Sequence, residues 1–400
     1  MSDAPAPSEC HVLGTPKAIP LPPLEFVQKL RSTRKRKHLS GSELEEKHGG
    51  LIRKITFGLS HGKPARLADR PERKFLRVVS WNIERGKQLE GIAAYLKNTP
   101  ALQDMDVLLL NEVDVGMARS GNRDVAREIA ETLGFEWVFG NSYLCLSPGN
   151  PRDGEPDEEN RIGFHGNAIL SRYPLLRAEN FSVAITKDKF QSSEKRLGHK
   201  KALWAEVETP LGKVALAAAH LDSGGSTRQR AAQMKDVLAK LEERGVAERS
   251  LIGGDFNTMT YDLKSIPRLL WNIFSKLLRG GFPHAIHHYV HPYKLYEKPI
   301  FDELVRHGFS YEPFNVPGVG TSRYEVGTFD SESKVRDYLP EIAVKILAWK
   351  LKPWNGVAPI KIDWFAGRGV KPLAPATLEK PRWNGKLLSD HDPIVVDVVW

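Results

Sequence analysis

The chain has 400 residues, of which 41% are hydrophobic and 27% charged, a balance that predicts a sizeable core and excludes a wholly disordered protein. This length excludes a single small module and fits one large α/β domain or two ordinary ones. Cys10 and Cys145 are too few for a disulfide framework, and no Cys/His pattern indicates zinc. We therefore expect a cytoplasmic protein of a reducing compartment, with peripheral contact to a membrane as an open alternative.

The net charge of +9 is concentrated at the start of the sequence. Residues 1–77 hold 16 Lys/Arg and 8 Asp/Glu, whereas the remaining 323 residues hold 42 and 41. Residues 1–74 are also rich in Pro and Gly, so we predict a basic, partly disordered N-terminal extension. Such a segment is typical of a solvated arm, and binding to nucleic acid or to an acidic membrane surface stays open. No protein partner can be deduced.

From residue 75 onward the sequence alternates strands and helices. In chain order it predicts a strand over 75–83, a helix over 89–97, a buried strand over 106–112 and a helix over 124–133. Further strands are predicted at 167–171, 202–207, 213–220, 250–255, 360–364 and 394–399, and a long helix at 227–243. This alternation predicts an α/β layered domain over residues 75–400 rather than a helical bundle.

Residues 260–350 depart from this alternation. Apolar residues recur at helical spacing over 269–278, beside Arg268, Lys276 and Arg279, and residues 342–352 repeat the pattern with three lysines. We predict an amphipathic insertion. Its helices either pack on the protein's own core, as most amphipathic helices do, or lie on a membrane surface.

Polar side chains suited to phosphoester chemistry lie at the predicted strand ends. They are Asn82, Glu112, His220, Asp255, Asn257, Asp363, Asp390 and His391. Because strand ends of an α/β sheet commonly open onto one crevice, we expect these side chains to share a pocket. Carboxylate and amide oxygens suit Mg²⁺ or Mn²⁺, and a histidine beside a carboxylate can move protons near neutral pH. Metal-assisted phosphoester hydrolysis uses all of these groups.

Each of these residues alone also has a structural explanation. A lone Asn82 is typical of hydrogen bonding at a strand end, and a lone His220 on an apolar strand is typical of a satisfied core histidine. A Gly-Gly-Asp turn such as the one before Phe256 is common. The ordered combination is therefore what indicates an enzyme.

Seven short segments, taken in order, resemble the endonuclease/exonuclease/phosphatase superfamily of deoxyribonuclease I-like phosphoesterases. They are WNIE at 81–84, NEV at 111–113, GNAILS at 166–171, HL at 220–221, GDFN at 254–257, ID at 362–363 and SDH at 389–391. The resemblance spans about residues 75–400. It implies a four-layer α/β/β/α sandwich of two packed mixed β-sheets, with the site at one edge. It also implies a hydrolase that acts on ester bonds with Mg²⁺ or Mn²⁺.

The resemblance also implies roles for individual residues. The implied metal-binding residues are Glu112, Asn82 and Asp390. The implied catalytic residues are Asp255, Asn257, His220, Asp363 and His391. Asp255 is expected to activate or position the attacking water, and Asn257 to orient that water or the phosphate. His391, oriented by Asp363, is expected to stabilise or protonate the phosphoryl group, while His220 contacts a phosphate oxygen.

Further residues complete the expected site. Glu84 occupies a position where the family often carries an acid, and Asn167 is expected to support the pocket and the substrate. Arg119 and Arg228 are candidate phosphate contacts, although helix capping and surface charge explain them equally well. Asn111 stands where many relatives carry glutamine, a change that should leave Glu112 usable.

The expected substrate is a phosphodiester or phosphomonoester. A phospholipid or a small phosphoester is favoured by the near-neutral charge of residues 78–400 and by the amphipathic insertion. The alternative is DNA or RNA, with the basic leader as a non-specific grip. An alternative of another class is a non-catalytic binding module on the same fold.

Overall fold

The computed structural model describes residues 8–36, 42–149, 158–186, 188–261, 265–326 and 341–400. Its strands are β1 (His11–Val12), β2 (Leu59–Gly62), β3 (Leu76–Arg85), β4 (Val107–Val115), β5 (Glu136–Cys145), β6 (Phe164–Ser171), β7 (Leu175–Ser182), β8 (Arg196–Gly198), β9 (Lys201–Thr209), β10 (Gly212–His220), β11 (Ser250–Asp255), β12 (Ser322–Glu325), β13 (Val357–Ile360), β14 (Asp363–Arg368), β15 (Lys371–Thr377), β16 (Arg382–Trp383), β17 (Lys386–Leu387) and β18 (Ile394–Val399). Its α-helices are α1 (Leu24–Ser32), α2 (Glu43–Thr56), α3 (Leu89–Asn98), α4 (Val125–Leu133), α5 (Thr227–Glu243), α6 (Ile266–Leu278), α7 (Gly281–Val290), α8 (Lys298–Arg306) and α9 (Glu341–Lys350).

Two large mixed sheets form the centre of the molecule. The six-stranded sheet has the order β1-β7-β9-β10-β11-β14, and the eight-stranded sheet has the order β15-β18-β3-β4-β6-β5-β2, with β8 paired to β5. Helix α3 crosses over between the parallel strands β3 and β4, and α5 crosses over between the parallel strands β10 and β11. Parallel neighbours require such crossovers, because the chain must return to the same end of the sheet before the next strand begins.

Buried apolar side chains separate the layers. One cluster fills the space between the sheets, with Val78 and Leu109 from one sheet facing Leu216 and Leu251 from the other. A second cluster packs α1 to α4 against the outer face of the eight-stranded sheet, and a third packs α5 and α8 against the six-stranded sheet. Helices therefore cover both outer faces, and the predicted four-layer α/β/β/α sandwich is confirmed.

The described part of the N-terminal segment contributes helices and strands to this sandwich. Strand β1 pairs with β7 at the edge of one sheet, and β2 pairs with β5 at the edge of the other. Phe26 and Leu30, four residues apart on α1, are buried in the core with Ile55. The high charge of this segment concealed these helical pairs. Residues 1–7 and 37–41 lie outside the described residues.

The insertion packs on the body through some of its helices. Helix α8 lies against α5, where the guanidinium of Arg230 pairs with the buried carboxylate of Glu297. Strands β12 and β13 form a separate two-stranded sheet. Helix α6 buries Leu269 and Lys276 but exposes several large apolar residues. Across the described ranges, none of the helices combines the length and apolar character needed to cross a membrane.

We expect the Phe26→Ala variant to unfold with a free energy lower by about 3–5 kcal/mol, because it opens a cavity in a close-packed core. The matched control is Leu24→Ala on the same helix, since Leu24 is exposed and its loss should change stability by no more than about 0.5 kcal/mol. Urea unfolding measures both variants. Equal effects of the two substitutions would show that α1 is not packed on the sandwich.

Candidate active site

Three candidate residues lie side by side on adjacent strands of the six-stranded sheet. His220 is opposite Asp255 in the parallel pair β10/β11, and Asp255 is opposite Asp363 in the antiparallel pair β11/β14. Asp363 begins a strand instead of closing the strand predicted at 360–364. Because β14 runs antiparallel to β11, the start of β14 lies beside the end of β11. Register thus brings together residues that are 108 positions apart.

Gly254 permits this close approach. It has a φ of 145°, and a Cβ atom added there would lie 1.9 Å from the carbonyl oxygen of Ala219 on β10. Any larger residue would push the two strands apart directly beside His220 and Asp255. The Gly-Gly-Asp sequence therefore has a structural reason at this position.

The eight-stranded sheet contributes the ends of β3 and β4. The parallel register places Asn82 beside Asn111, and both strands are irregular directly afterwards. Glu84, Arg85 and Glu112 have positive φ values of 46°, 70° and 51°. Bulges and left-handed backbone of this kind re-aim side chains and are concentrated at functional sites. The left-handed backbone of Glu112 thus lies within the irregular part of β4.

Asp255 is the meeting point of the two sheets. Its Oδ2 atom accepts a hydrogen bond from Asn82 Nδ2 at 3.2 Å and lies 3.5 Å from His220 Nε2. Its backbone N–H donates to Asn111 Oδ1 at 2.8 Å. Asn257 donates to both carboxylate oxygens, from its backbone N at 2.9 Å and from Nδ2 at 3.0 Å. The carboxylate is therefore held in one orientation.

The titration of Asp255 is shifted strongly by its surroundings. Burial raises its pKa to about 7, the positive charge of His391 opposes this shift, and the carboxylate of Asp363 adds to it. A carboxylate with a pKa near neutrality can accept a proton from water and release it again.

His391 is fixed by a carboxylate and by the backbone around it. Its Nδ1 atom lies 2.9 Å from Asp363 Oδ2, and its Nε2 atom lies 3.9 Å from Asp255 Oδ2. Trp81 Nε1 donates to the backbone carbonyl of His391 at 2.9 Å. Burial alone would lower the pKa of His391, but the charges of Asp363 and Asp390 outweigh it and hold this pKa well above its usual value. The imidazole is thus a hydrogen-bond donor at neutral pH.

Glu112 has the properties of a ligand for a divalent cation. Its side chain is about a quarter exposed, and its oxygens lie 3.7 Å from Arg85 Nε and 3.9 Å from His220 Nε2, too far for hydrogen bonds. Burial would raise the pKa of Glu112, but Arg85, His220 and Lys200 hold it well below its usual value. An ionised carboxylate without a hydrogen bond, within the described residues, fits a hard cation.

A second group of possible metal-binding atoms lies beside it. One atom from each of Asp255, Asp363 and His391 falls within 4.8 Å of the others. The Nδ1 atom of His391 is already engaged by Asp363 Oδ2 at 2.9 Å. Glu112 and this group therefore both offer oxygen atoms that could bind a cation.

Arg119, a candidate phosphate contact from the sequence, has its guanidinium engaged in a buried cluster of carboxylates. Its guanidinium is fully buried and binds Asp114 through two hydrogen bonds of 2.6 and 2.9 Å. It also donates to Glu194 at 2.7 Å, and His165 Nδ1 lies 2.7 Å from Asp114. Because its neighbours are carboxylates in the protein interior, Arg119 neutralises the charge of a buried cluster.

The other supporting candidates have separate positions. Arg228 is exposed on the first turn of α5. Asn167 is buried and uses both ends of its amide within the protein, since Oδ1 accepts from Asn111 and Nδ2 donates to the carbonyl of Lys201. Glu84 pairs with Lys87 at 2.8 Å, and its backbone N–H donates to Asn82 Oδ1. Asn167 and Glu84 therefore position Asn111 and Asn82.

Two site residues were not assigned a role from the sequence. Asn111 connects Asn167 to the backbone of Asp255, and its position as a polar residue ending an apolar strand was the available signal. Lys200 is close enough for its charge to act on Glu112, Asp255 and His220. Burial lowers the pKa of Lys200 to about 8. The sequence signal was the Lys-Lys pair in front of an alternating strand.

The sandwich and the carboxylate, amide and histidine groups at its edge define a class of phosphoester-hydrolysing folds. Residues 79–323 match the model of the Endonuclease/Exonuclease/phosphatase family. The chain belongs to this family, as the sequence resemblance predicted. Members of the family are generally hydrolases of phosphoester bonds that use divalent metals.

Three solved structures from different organisms illustrate the similarity in fold. An endonuclease/exonuclease/phosphatase from Beutenbergia cavernae is 19% identical, with a TM-score of 0.47 over 82% of this chain and 72% of that one. A humanized D. rerio TDP2 is 15% identical, with a TM-score of 0.45 over 82% and 100%. The human Nocturnin catalytic domain with bound sulfate is 18% identical, with a TM-score of 0.44 over 82% and 94%. No curated protein matches the sequence.

We expect Arg119→Met to lower the free energy of unfolding by about 3–5 kcal/mol, because it leaves the buried carboxylates of Asp114 and Glu194 without their shared cation. The control is Arg228→Met, which replaces an exposed arginine and should stay within about 0.5 kcal/mol of the parent. Thermal and urea unfolding provide the comparison. An Arg119 variant as stable as the control would contradict the buried network.

Proposed function

We propose that this protein is a divalent-metal-dependent phosphoesterase that hydrolyses a phosphodiester or phosphomonoester with an activated water. The observation that carries the proposal is the position of Asp255. Its carboxylate is buried at the junction of the two sheets and lies within 4 Å of His220 and His391. A carboxylate with a pKa near 7 between two imidazoles is suited to proton transfer at a phosphoester.

The residues proposed to hold the cation are Glu112, Asn82 and Asp390. Glu112 offers an ionised carboxylate, and Asn82 adds an amide beside it at the end of the neighbouring strand. Oxygen donors of this kind favour Mg²⁺, with Mn²⁺ as the alternative. When bound, such a cation would supply positive charge that neutralises the phosphate and polarises its P–O bonds.

The protein's own residues are proposed to transfer the proton, to position the water and to stabilise the developing charge. Asp255 would accept a proton from the attacking water while Asn257, which already holds the carboxylate, orients that water or the phosphate. The water oxygen bonds to phosphorus, and the ester oxygen leaves with the bonding electron pair and is protonated by solvent. His391, held by Asp363, would donate a hydrogen bond to a phosphoryl oxygen as negative charge develops there.

Two further residues, His220 and Lys200, are proposed to interact with the negative charge of the phosphate. His220 lies between Asp255 and Glu112, at 3.5 and 3.9 Å, and is proposed to contact a phosphate oxygen. Lys200 adds a cation on the side of Glu112 and Asp222. Its ammonium is proposed to attract the phosphate into the site and to offset the three carboxylates there.

The preferred substrate is a phospholipid or a small phosphoester, since residues 78–400 carry almost no net charge. A nucleic acid is the second candidate, favoured by the exposed side chains of Lys29, Arg34 and Lys35. A non-catalytic binding module is the alternative of another class, and it would be expected to lack catalytic positions, none of which is missing here.

We expect Asp255→Asn and His391→Ala each to reduce turnover at least ~100-fold, because each removes a proton-transfer or charge-stabilising group. Chelation with EDTA should abolish turnover, and Mg²⁺ or Mn²⁺ should restore it. Phosphate or headgroup release from a panel of plasmid DNA, sphingomyelin, phosphoinositides and bis-(p-nitrophenyl) phosphate measures the effect. The control is Asp302→Asn, which changes an aspartate paired with Lys298 on the surface of α8. Full activity of the Asp255 variant would exclude the mechanism.

A charge variant separates the two substrate candidates. Replacing Lys29, Arg34 and Lys35 with Gln removes three exposed cations without touching the buried face of α1. Under the preferred hypothesis this triple variant retains its activity and its salt dependence. A nuclease that uses these cations as a grip would lose affinity and show a shallower dependence on salt. The measurement is substrate affinity across a salt series.

A further inference from the structure

Helix α6 presents a large apolar face to solvent. Trp271 and Leu278 are 68% and 69% exposed, Leu270 and Phe274 are each 50% exposed, and Leu277 is 39% exposed. These five residues, called the α6 face below, include two aromatic rings whose centroids lie 5.9 Å apart. Soluble monomers rarely expose contiguous apolar surface of this kind without a partner.

The Asp, Glu, Lys and Arg residues of the segment that carries the α6 face are of one charge sign. The sequence carries no Asp or Glu between Asp262 and Glu297, whereas it carries five Lys/Arg there. Arg268 and Arg279 are exposed at the two ends of the helix. Apolar and aromatic residues flanked by cations complement a surface with an apolar interior and anionic headgroups. This pattern favours a membrane over an acidic protein surface, which would not accommodate two aromatic rings and three leucines equally well.

Helix α6 is fastened to the catalytic edge of the sandwich. Lys276, on its buried side, donates to the carbonyl oxygen of Thr260 at 2.6 Å and to its Oγ1 at 2.9 Å. Thr260 lies three positions after Asn257 on the segment that leaves β11. The ammonium of Lys276 also lies 3.8 Å from the ring centroid of Tyr261 and 4.7 Å from that of Tyr296. The α6 face is therefore anchored next to the site.

Helix α7 contacts the same edge of the sandwich. It also packs against α9, a second helix with exposed apolar residues. The carbonyl of Tyr289 accepts a hydrogen bond from Lys361 N, two positions before Asp363. A cluster that includes Ile286 of α7 and Leu351 after α9 packs these helices together. On α9, Ile346 and Trp349 are 52% and 59% exposed. Lys345, Lys350 and Lys352 beside them are exposed as well. A second helix thus repeats the apolar and basic character of α6.

We propose that the α6 face, assisted by α9, docks the catalytic edge of this protein onto an anionic phospholipid membrane. The apolar and aromatic side chains enter the boundary between headgroups and acyl chains, and the flanking cations bind the headgroup phosphates. Lys276 and Tyr289 attach the docked helices to the segments beside Asp255 and Asp363, so that docking holds these strand ends near the membrane surface. Docking does not depend on the proposed reaction, because its residues are not those of the site.

The test is co-sedimentation of the full chain with vesicles of phosphatidylcholine containing phosphatidylserine, compared with vesicles of phosphatidylcholine alone. The protein should bind the anionic vesicles more tightly, and added salt should weaken this binding. The double variant Trp271→Ser/Phe274→Ser should bind at least ~10-fold more weakly, because it removes two aromatic side chains that would enter the bilayer. Arg279→Gln alone should bind about five-fold more weakly.

Matched controls change equally exposed residues elsewhere. Val305→Ser removes an apolar side chain that is 61% exposed on α8, and Lys371→Gln removes an exposed cation at the start of β15. Both should bind vesicles as the parent does. Asp255→Asn should also bind normally, so that failure of catalysis and failure of docking are distinguished.

Three outcomes would overturn the proposal. The first is a full chain that stays in the supernatant with both vesicle types. The second is a double variant that sediments as the parent does, with circular dichroism showing the same fold. The third is a dimer in sedimentation velocity that the double variant dissociates without any vesicle binding, since this would assign the α6 face to a second copy of the chain.

Discussion

Asp255 depends on contacts from both sheets, and the rest of the site is arranged around it. The eight-stranded sheet supplies Asn82 and Asn111, which bind its carboxylate and its backbone N–H. The six-stranded sheet supplies His220 and Asp363 from the neighbouring strands. A small sliding of one sheet over the other would break these bonds, so the apolar packing between the sheets also fixes the distances in the site.

The polar interior around this junction is extensive but paired. Asn167 holds Asn111, and a separate cluster places Arg119 between Asp114 and Glu194. Buried charges are tolerated only when their partners are present, because desolvation of a single ion costs several kcal/mol. This cluster therefore keeps the ends of β4 and β6 in register, whereas the ionised Glu112 has no hydrogen bond within the described part of the chain. The difference separates a structural carboxylate from one suited to a cation.

The insertion connects the site to an outer surface. Lys276 and Tyr289 bind segments that lead directly into β11 and β14. A lipid surface in contact with α6 would then lie near the strand ends that carry Asp255 and Asp363. If docking and catalysis both hold, the phosphate closest to the site would be that of a membrane lipid. The preferred substrate class would then follow from a physical feature of the fold, the attachment of α6 beside these strand ends.

The sequence by itself determined most of the strands after residue 75, the long helix α5 and the ordered set of acids, amides and histidines, because periodicity and motif order are local properties of the chain. Tertiary structure decided what depends on distant partners. It placed Asp363 at the start of a strand, buried Arg119 and inserted the basic N-terminal segment into both sheets. It also left the apolar residues of α6 exposed. An arginine that binds phosphate and one that binds buried carboxylates have the same local sequence signal, and an amphipathic helix has the same periodicity whether or not its apolar face is covered. Only the packing of segments far apart in the chain distinguishes them.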